Sequence, residues 1–324
     1  MKKLAIILLN WNGEIDTVDC IKSIYSHHEK DLFDIFILDN FSEEKSINYI
    51  CDNLSIEEKL SLSDFIEKAN DKVDFKRLNL ICSDKNLGFA KGNNTIHKYI
   101  YELYEYVILL NNDTVMIEES LLKMLNCMDI NTDVGILSTD IKLFSDTSKR
   151  WNAGGYFTIY GDRKYYGDKF LNNKNLIDTE FVTGCIMMIR SSIIKKVGFF
   201  TEKFFFGEED FNYCLRLKVL NIKVCTLLTT SILHKVGTSA KKLESVKDNR
   251  YILHFTNRII DLRDFYSNYY WFIWKNIYLT FIFIHSIIRS HDFSLSISRV
   301  KRIHKYSKLQ KIDKDIFEEI MSLK

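Results

Sequence analysis

The sequence predicts an α/β fold built on a mostly parallel, mixed sheet with helices on both faces. Short apolar runs alternate with helical patterns through the first half of the chain, and this alternation is typical of parallel strands joined by crossover helices. Of the 324 residues, 46% are hydrophobic, which is enough for one large domain or one domain with an appendage. We expect an α/β domain over residues 1–240 and a helical C-terminal appendage over 241–324.

Five apolar runs bounded by polar residues predict the strands of this sheet: 4–9, 32–38, 75–81, 105–110 and 134–139. The segments between them predict helices, at 14–28, 42–72, 88–104 and 119–128. Later in the chain, a helix that starts at the acids 208–210 precedes a strand at 222–228. An apolar stripe is expected to attach that helix to the core: Phe211, Cys214, Leu215 and Val219.

The overall charge and the cysteines exclude some classes of protein. The chain has 45 Lys or Arg against 43 Asp or Glu, so a formal charge of +2 gives no general attraction to nucleic acid. Seven cysteines occur without CxxC pairs, which favours free thiols and a cytoplasmic location. The apolar run 4–9 ends in Asn-Trp-Asn-Gly, without a signal-peptide cleavage pattern, and is read as a buried first strand.

Polar residues follow directly after each of the first four predicted strands. In α/β sheets, ligands bind in the crevice at the carboxyl ends of the strands. We therefore expect one ligand crevice, and the candidates for binding a ligand there are Asn10, Asn12, Asp39, Asn86, Gly88, Lys91, Asn112 and Asp113.

The fourth of these strand ends, in the stretch VILLNNDTVM, suggests a metal site. A carboxylate on a rigid strand end suits a hard divalent cation, Mg²⁺ or Mn²⁺, that is shared with substrate phosphates. Asp113 is that carboxylate, with Asn112 beside it. The alternative is that Asn-Asp-Thr only caps a helix beginning near Ile117.

The second and third strand ends suggest contacts to a nucleotide. Gly88 and Lys91 open a helix whose N–H groups and dipole could receive phosphate or sugar hydroxyls. Asp39 could accept hydrogen bonds from a base or a ribose, or could be only a turn former.

The stretch FFFGEEDFNYCLRL places three consecutive acids between phenylalanines and an apolar helix. Adjacent carboxylates repel one another, and their aromatic surroundings favour a position at the wall of a cleft, where one of them could act as a base. The alternative is that acids are simply favoured in the first turn of a helix.

Six motifs together carry a family resemblance: LNWNG, LDNFS, NLGFAKGNN, LLNNDT, VTGCIMMIR and GEEDFNYCLRL. In this order and at these separations they resemble the inverting family-two glycosyltransferases with the GT-A (Rossmann-like) fold. They are most similar to the branch with bacterial rhamnosyltransferases and other surface-polysaccharide enzymes. The resemblance extends from Lys3 to about Gly237.

The resemblance implies roles for the site residues. Asp39 would recognise the base or ribose, and Asn86 and Gly88 would line the donor site. Asp113 matches the last acid of the family's DxD-like tripeptide, which is Asn-Asn-Asp here. His234 stands where many GT-A enzymes place a histidine near the metal or diphosphate, although a lone histidine is also often structural.

For the acid cluster, the resemblance implies that Asp210 is the catalytic base. Gly184 and Glu209 would lie on the acceptor side. Asn212 stands where relatives often carry a further acid.

The implied activity is metal-dependent, inverting glycosyl transfer of the hexosyltransferase type. The donor would be dTDP-rhamnose or a UDP-sugar, and the acceptor a saccharide or lipid-linked saccharide of a cell-surface polysaccharide. A nucleotidyltransferase is one alternative, but it would require a glycine-rich, basic loop after the first strand, where this chain has NWNGEID. A catalytically silent glycan-binding or scaffold protein is another.

The C-terminal region contains an apolar segment, 269–289, that is interrupted by Lys275, Asn276 and His285. These interruptions disfavour a membrane-spanning helix. The open alternatives are packing on the domain, packing on a second subunit as a homodimer, or lying in a membrane interface. The basic tail that follows favours contact with anionic lipid, as a peripheral protein at the inner face of the membrane would make.

Overall fold

The computed structural model describes residues 2–72, 74–236 and 247–322, and it confirms the α/β fold class. The predicted boundary between residues 240 and 241, and Gly237 at the end of the family resemblance, lie outside the described residues. The strands in chain order, β1 to β13, are Lys2–Asn10, Phe33–Asp39, Lys59–Ser61, Leu78–Cys82, Tyr104–Asn111, Thr114–Met116, Val134–Leu143, Asp146–Asn152, Gly155–Phe157, Arg163–Tyr165, Leu176–Thr179, Ile186–Arg190 and Lys223–His234.

The described α-helices, α1 to α12, are Glu14–His27, Glu44–Leu54, Leu62–Asn70, Phe89–Ile100, Ser120–Ile130, Asp168–Leu171, Ile194–Val197, Glu209–Val219, Lys247–Leu262, Asn268–Ser290, Phe293–Tyr306 and Lys314–Ser322. Two short 3₁₀ turns, Lys30–Leu32 and Ser191–Ile193, complete the described helical segments.

Strand β1 lies in the middle of the parallel half of the main sheet. It pairs in parallel with β2 on one side and with β5 on the other, and β4 and β3 extend the sheet beyond β2. The register places Asn10 beside Asp39, and Leu9 beside Asn111. The ends of these strands therefore meet at one edge, as the sequence predicted.

An antiparallel strand brings a second part of the chain to the same edge. Strand β12 runs between β5 and β7 and is antiparallel to both. The backbone N–H of Asn111 donates to the carbonyl of Cys185 at 2.9 Å, so Gly184 lies beside the end of β5. The long strand β13 ends at His234, which pairs with Thr114 of β6.

Two apolar layers cover the sheet. Helices α1, α2 and α5 pack on one face, and α3, α4, α7 and α8 pack on the other. Helix α8 attaches through Tyr213, Cys214 and Leu217, which are buried, while Phe211 is half-buried. The predicted contact by Val219 is wrong, because this residue ends the helix at the surface and is 68% exposed.

Several predicted boundaries need correction. The strand predicted at 75–81 begins at Leu78, because the ring of Phe75 packs edge-on against Phe36 in an aromatic cluster instead of extending the strand. The segment 42–72 contains two helices separated by the edge strand β3. The helix expected near Ile117 begins at Ser120, after the short strand β6. Strands β3, β6 and β8 to β12 were not predicted.

The C-terminal helices form a third apolar cluster that includes Phe204. The segment around Ile312 pairs with the chain just before the acid cluster: the N–H of Phe205 donates to the Ile312 carbonyl at 2.7 Å, and the N–H of Ile312 donates to Lys203 at 2.8 Å. The phenylalanine triplet therefore joins the acid cluster to the C-terminal helices.

We predict that Gly88→Ala lowers the free energy of unfolding by more than about 2 kcal/mol. Gly88 has a φ of +76°, and a Cβ there would lie 2.3 Å from the carbonyl oxygen of Phe205. Urea denaturation measures the change. Gly167→Ala is the matched control, because its φ is −87° and a Cβ would meet no atom within 4 Å. Equal unfolding midpoints for the two variants would contradict the prediction.

Candidate active site

The side chain of Asn10 connects the ends of β1 and β2 through hydrogen bonds. It is fully buried, and its amide donates to Asp39 Oδ1 at 2.8 Å and to Ser42 Oγ at 3.1 Å. Its side-chain oxygen accepts from the N–H of Gly13 and from the hydroxyl of Thr17. Asn10 therefore shapes the crevice from within the protein and presents no free group to a ligand.

Asp39 is also fully buried. One carboxylate oxygen accepts from Asn10, and the other accepts from the backbone N–H of Ser42 at 2.9 Å. Both oxygens are therefore engaged inside the protein, where they fix the turn after β2. The predicted contact of Asp39 with a base or ribose stays a prediction, and it would require this turn to open.

Two exposed aromatic residues follow the same strands. Trp11 is 55% exposed after β1, and Phe41 is 57% exposed after β2 with a φ of +70°. Between them, the side-chain oxygen of Asn12 accepts a hydrogen bond from the N–H of Glu43 at 2.8 Å, which connects the turn after β1 to the turn after β2. The sequence reasoning missed both rings, although each directly follows a polar strand end and could have been found from that position.

The third strand end is closed by a pair of asparagines. Asn40 donates to Asn86 Oδ1 at 3.1 Å and accepts from the N–H of Leu87 at 2.7 Å. Asn86 also accepts from the N–H of Gly88 at 2.9 Å. These bonds hold the turn at the start of α4, where Lys91 lies exposed in the first helical turn.

The fourth strand end brings Asp113 and His234 together. His234 Nε2 lies 3.0 Å from Asp113 Oδ1, and the ring of Trp151 contacts the imidazole edge-on at 4.4 Å between centroids. The capping alternative for Asp113 is not supported, because the next helix begins only at Ser120. Asn112 points elsewhere and donates to Thr17 at 2.9 Å.

The pair Asp113 and His234 fits part of a divalent cation site. A carboxylate oxygen and an imidazole nitrogen are ligands that Mn²⁺ accepts, and neighbouring ligands of an octahedral ion with bonds of about 2.1 Å lie roughly 3.0 Å apart. Within the described ranges, no group of three or more His, Cys, Asp or Glu side chains could hold a metal. A cation here would therefore need further ligands from a bound diphosphate and water.

Asp210 lies in the first turn of α8 and faces Gly184. The N–H of Gly184 donates to Asp210 Oδ2 at 3.1 Å, and the N–H of Phe211 donates to Oδ1 at 2.8 Å. Burial raises the pKa of Asp210 to about 6, although these N–H groups and the charge of Arg163 oppose the rise. A half-buried carboxylate with this pKa is suited to general-base catalysis near neutral pH.

The two neighbouring acids have different environments. Glu209 is buried, its Oε2 has no hydrogen-bond partner among the described residues, and burial raises its pKa well above the usual range. Glu208 is buried too, but it forms an ion pair with Arg163. Glu209 is therefore expected to be neutral, and Glu208 is held in its ion pair with Arg163, so Asp210, with a pKa of about 6, is the acid of the cluster suited to proton transfer near neutral pH.

Two family profiles match most of the chain between them. The description "Glycosyl transferase family 2" matches residues 5–198, and "Glycosyl transferase family group 2" matches residues 106–302. Each match covers more than half of the chain. The chain belongs to glycosyl transferase family 2.

A curated relative and two solved structures agree with this assignment. The glycosyltransferase is 22% identical to the low-salt glycan biosynthesis hexosyltransferase Agl10 of Haloferax volcanii, over 82% of this chain and 76% of the relative. Its fold is similar to GalNAc-T7 solved with UDP, GalNAc and Mn²⁺ (TM-score 0.59, 11% identity). The match covers 98% of this chain but only 56% of GalNAc-T7.

The second structure is the mannosyltransferase PcManGT from Pyrobaculum calidifontis in complex with GDP-Man and Mn²⁺. It has a TM-score of 0.52 and 10% identity, and it covers 98% of this chain and 85% of that protein. The predicted family and the GT-A fold are thus confirmed. The match favours glycosyl transfer over nucleotidyl transfer, while the rhamnosyltransferase branch stays a prediction.

A buried charge network behind Asp210 was not predicted for this glycosyltransferase. The guanidinium of Arg163 lies 3.3 Å above the ring of Phe211 and pairs with Glu208. Arg258 of α9 pairs with Asp162 and lies 3.9 Å from Glu208.

Asn212 joins the same helix to α9. Its amide donates to Asp261 at 2.6 Å, and burial raises the pKa of Asp261. No motif in the sequence marks these residues, because they lie between 45 and 96 positions apart along the chain.

We predict that Asp39→Asn lowers the free energy of unfolding by about 1–3 kcal/mol without any ligand. The new amide would turn an N–H group towards either Asn10 Nδ2 or the Ser42 N–H, which both need an acceptor. Chemical denaturation of the free protein tests this, with Asp31→Asn as an exposed control. Unchanged stability of Asp39→Asn would instead indicate that the carboxylate serves only a ligand.

Proposed function

We propose that this glycosyltransferase moves a sugar, with inversion, from a nucleotide-diphosphate donor to an acceptor hydroxyl, and that Asp210 is the base. The observation that carries this proposal is the position of Asp210. The carboxylate is held by the N–H of Gly184 beside the end of β5, and its pKa is raised to about 6. The same strand end leads to Asp113 and His234. The proposed base and the proposed diphosphate site would thus lie at one edge of the sheet.

Inversion needs one base, because the acceptor attacks from the face opposite the leaving group. The acceptor oxygen forms its bond to the anomeric carbon while its proton passes to Asp210. The bond between that carbon and the diphosphate oxygen breaks, and its electron pair leaves with the nucleoside diphosphate. Glu209 stays protonated beside Asp210 and adds no negative charge where the acceptor binds.

Asp113 and His234 would hold a divalent cation, Mg²⁺ or Mn²⁺. When bound, the cation would supply positive charge to the departing diphosphate oxygens. The buried Nδ1 of His234 has no partner among the described residues. The edge-on ring of Trp151 limits the orientation of the imidazole. Asp113 is fixed from behind, because its carbonyl accepts from the N–H of Lys235 at 2.9 Å.

The nucleotide would bind at the ends of β1, β2 and β4. The exposed rings of Trp11 and Phe41 offer apolar faces to a base, and Lys91 lies at the start of α4, where backbone N–H groups favour phosphate. The first donors to test are dTDP-rhamnose and UDP-sugars. The acceptor would be a saccharide or lipid-linked saccharide of a surface polysaccharide, made on the cytoplasmic side of the membrane.

We predict that Asp210→Asn reduces sugar transfer about 10²–10⁴-fold while donor binding is retained. Asparagine has nearly the same size but cannot take the proton. Transfer and binding of the nucleotide are measured separately. The wild-type rate should fall as the pH drops through about 6, because only the ionised form of Asp210 accepts a proton, and the variant should lose this dependence.

The exposed Glu57→Gln is the control for loss of a carboxylate and should leave transfer unchanged. Near-native transfer by Asp210→Asn would place the base elsewhere, with Glu209 as the next residue to test. Absence of transfer by the wild type with every nucleotide sugar, despite nucleotide binding, would favour the silent binding protein.

We predict that UDP or dTDP raises the melting temperature more with Mn²⁺ than with a chelator, because ligands that bind only the native state stabilise it. His234→Ala and Asp113→Ala should each weaken this metal-dependent binding by about tenfold or more, since altered outer-shell partners alone typically cost 10–100-fold.

His27→Ala, at the end of α1, is the matched histidine control. Full transfer activity in excess chelator would exclude a required cation. Equal shifts with and without Mn²⁺ would show that the nucleotide binds without it.

A further inference from the structure

Helix α10 presents an apolar face to solvent. Its exposed large apolar side chains recur mainly at intervals of three or four residues and are between 40% and 79% exposed: Tyr269, Tyr270, Phe272, Ile273, Ile277, Phe281, Ile284 and Ile288. This spacing aligns most of them on one side of the helix. An exposed apolar surface of this extent marks an interaction site.

The opposite face of α10 is fixed to the protein. The indole of Trp274 donates to the carbonyl of Tyr160 at 2.9 Å, and Tyr278 accepts from Arg258 at 2.8 Å. Lys275 is buried, with its amine over the ring of Trp271. By length and composition α10 could cross a membrane, but core helices of soluble proteins can be equally long and apolar. The polar contacts of Trp274 and Tyr278 fix one face of α10 to the protein, which favours a helix that lies along the membrane surface over one that spans the membrane.

The turn between β9 and β10 adds two exposed apolar side chains beside α10. Ile159 and Tyr160 at its tip are exposed, and the bond from Trp274 holds Tyr160 against α10. The exposed apolar side chains thus come from two segments, α10 and the turn between β9 and β10, which the hydrogen bond from Trp274 to Tyr160 holds together.

The segment that carries this face is rich in positive charge. Residues 268–312 contain eight Lys or Arg and one Asp, whereas the rest of the chain contains 37 basic and 42 acidic residues. Helices α10 and α11 pack antiparallel, with Ser296 bonded to Ser286 at 2.9 Å. Three exposed cations on these helices and the turn after them form no ion pair with any described residue: Arg289, Lys301 and Lys308.

We propose that the exposed face of α10, with the tip 159–160 and the exposed cations Arg289, Lys301 and Lys308, docks on the surface of an anionic lipid bilayer. Apolar side chains would enter the interface while the cations contact lipid phosphates. A second copy is a poorer occupant, because two such faces would bring two clusters of uncompensated positive charge together.

The docking face is connected to the catalytic region. The turn that carries Tyr160 continues into Asp162 and Arg163, which pair with Arg258 and Glu208. Glu208 lies two residues before Asp210. A docked enzyme would therefore hold its acceptor side near the lipid surface, which suits a lipid-linked saccharide. This last step rests on the proposed function, whereas the docking itself does not.

Co-sedimentation of the full chain with lipid vesicles tests the docking. The wild type should bind vesicles of equal parts phosphatidylglycerol and phosphatidylcholine at least tenfold more tightly than vesicles of phosphatidylcholine alone, since each basic residue near an anionic surface contributes about fivefold. Ile277→Ser should weaken binding about tenfold or more, because one buried isoleucine is lost from the interface.

Ile130→Ser is the matched control, since Ile130 is exposed at the end of α5. The double variant Arg289→Glu and Lys308→Glu should lose the preference for anionic vesicles, whereas Lys196→Glu on α7 should keep it. Thermal melting checks that each variant is folded.

Equal binding by wild type and Ile277→Ser, or equal binding to both kinds of vesicle, would overturn the proposal. A dimer in sedimentation velocity that Ile277→Ser dissociates, with no vesicle binding, would assign the face to a second copy. Because the readout does not use sugar transfer, loss of vesicle binding with intact transfer to a soluble acceptor would refute the docking and leave the proposed function standing.

Discussion

The ion pair between Glu208 and Arg163, buried behind helix α8, is the interaction on which the shape of the candidate site depends. Gly207 and Glu208 both adopt positive φ angles immediately before α8, and the buried carboxylate of Glu208 holds this tight turn against Arg163. This turn fixes the start of α8 and so sets the direction in which the Asp210 side chain points. Removing one partner of a buried ion pair typically lowers the free energy of unfolding by about 3–5 kcal/mol, because the other charge is left buried without compensation. Loss of either Glu208 or Arg163 is therefore expected to destabilise the protein.

The pair also makes the C-terminal helices part of the site. Arg258 and Asp261 of α9 reach Glu208 and Asn212, and Phe204 is buried among the C-terminal helices. A chain that ended after β13 would leave Glu208 with less compensation for its charge. The helices that begin at residue 247 therefore support helix α8, in addition to presenting the exposed face of α10.

Three acids in a row would repel one another if all were ionised. The structure separates them by environment: Glu208 is paired, Glu209 is buried without a cation, and Asp210 accepts two N–H groups. This is the general arrangement by which neighbouring carboxyl groups acquire different pKa values and different roles. The burial of Glu208 and Glu209 makes this separation possible.

The sequence alone determined the strands β1, β2, β5 and β7, the crevice at their ends and the candidacy of Asp113, because periodicity and turn residues act over short distances. The choice of Asp210 among the three acids came from the family resemblance. Only the tertiary structure decided which polar residues face the crevice. Asn10 and Asp39 are the last residues of their strands, and Trp11 and Phe41 lie in the turns that follow, yet the first two are buried and the last two exposed. His234 reaches Asp113 across 121 positions, and Arg163 reaches Glu208 across 45. Such contacts depend on how the strands and helices pack together, and no local pattern encodes that packing.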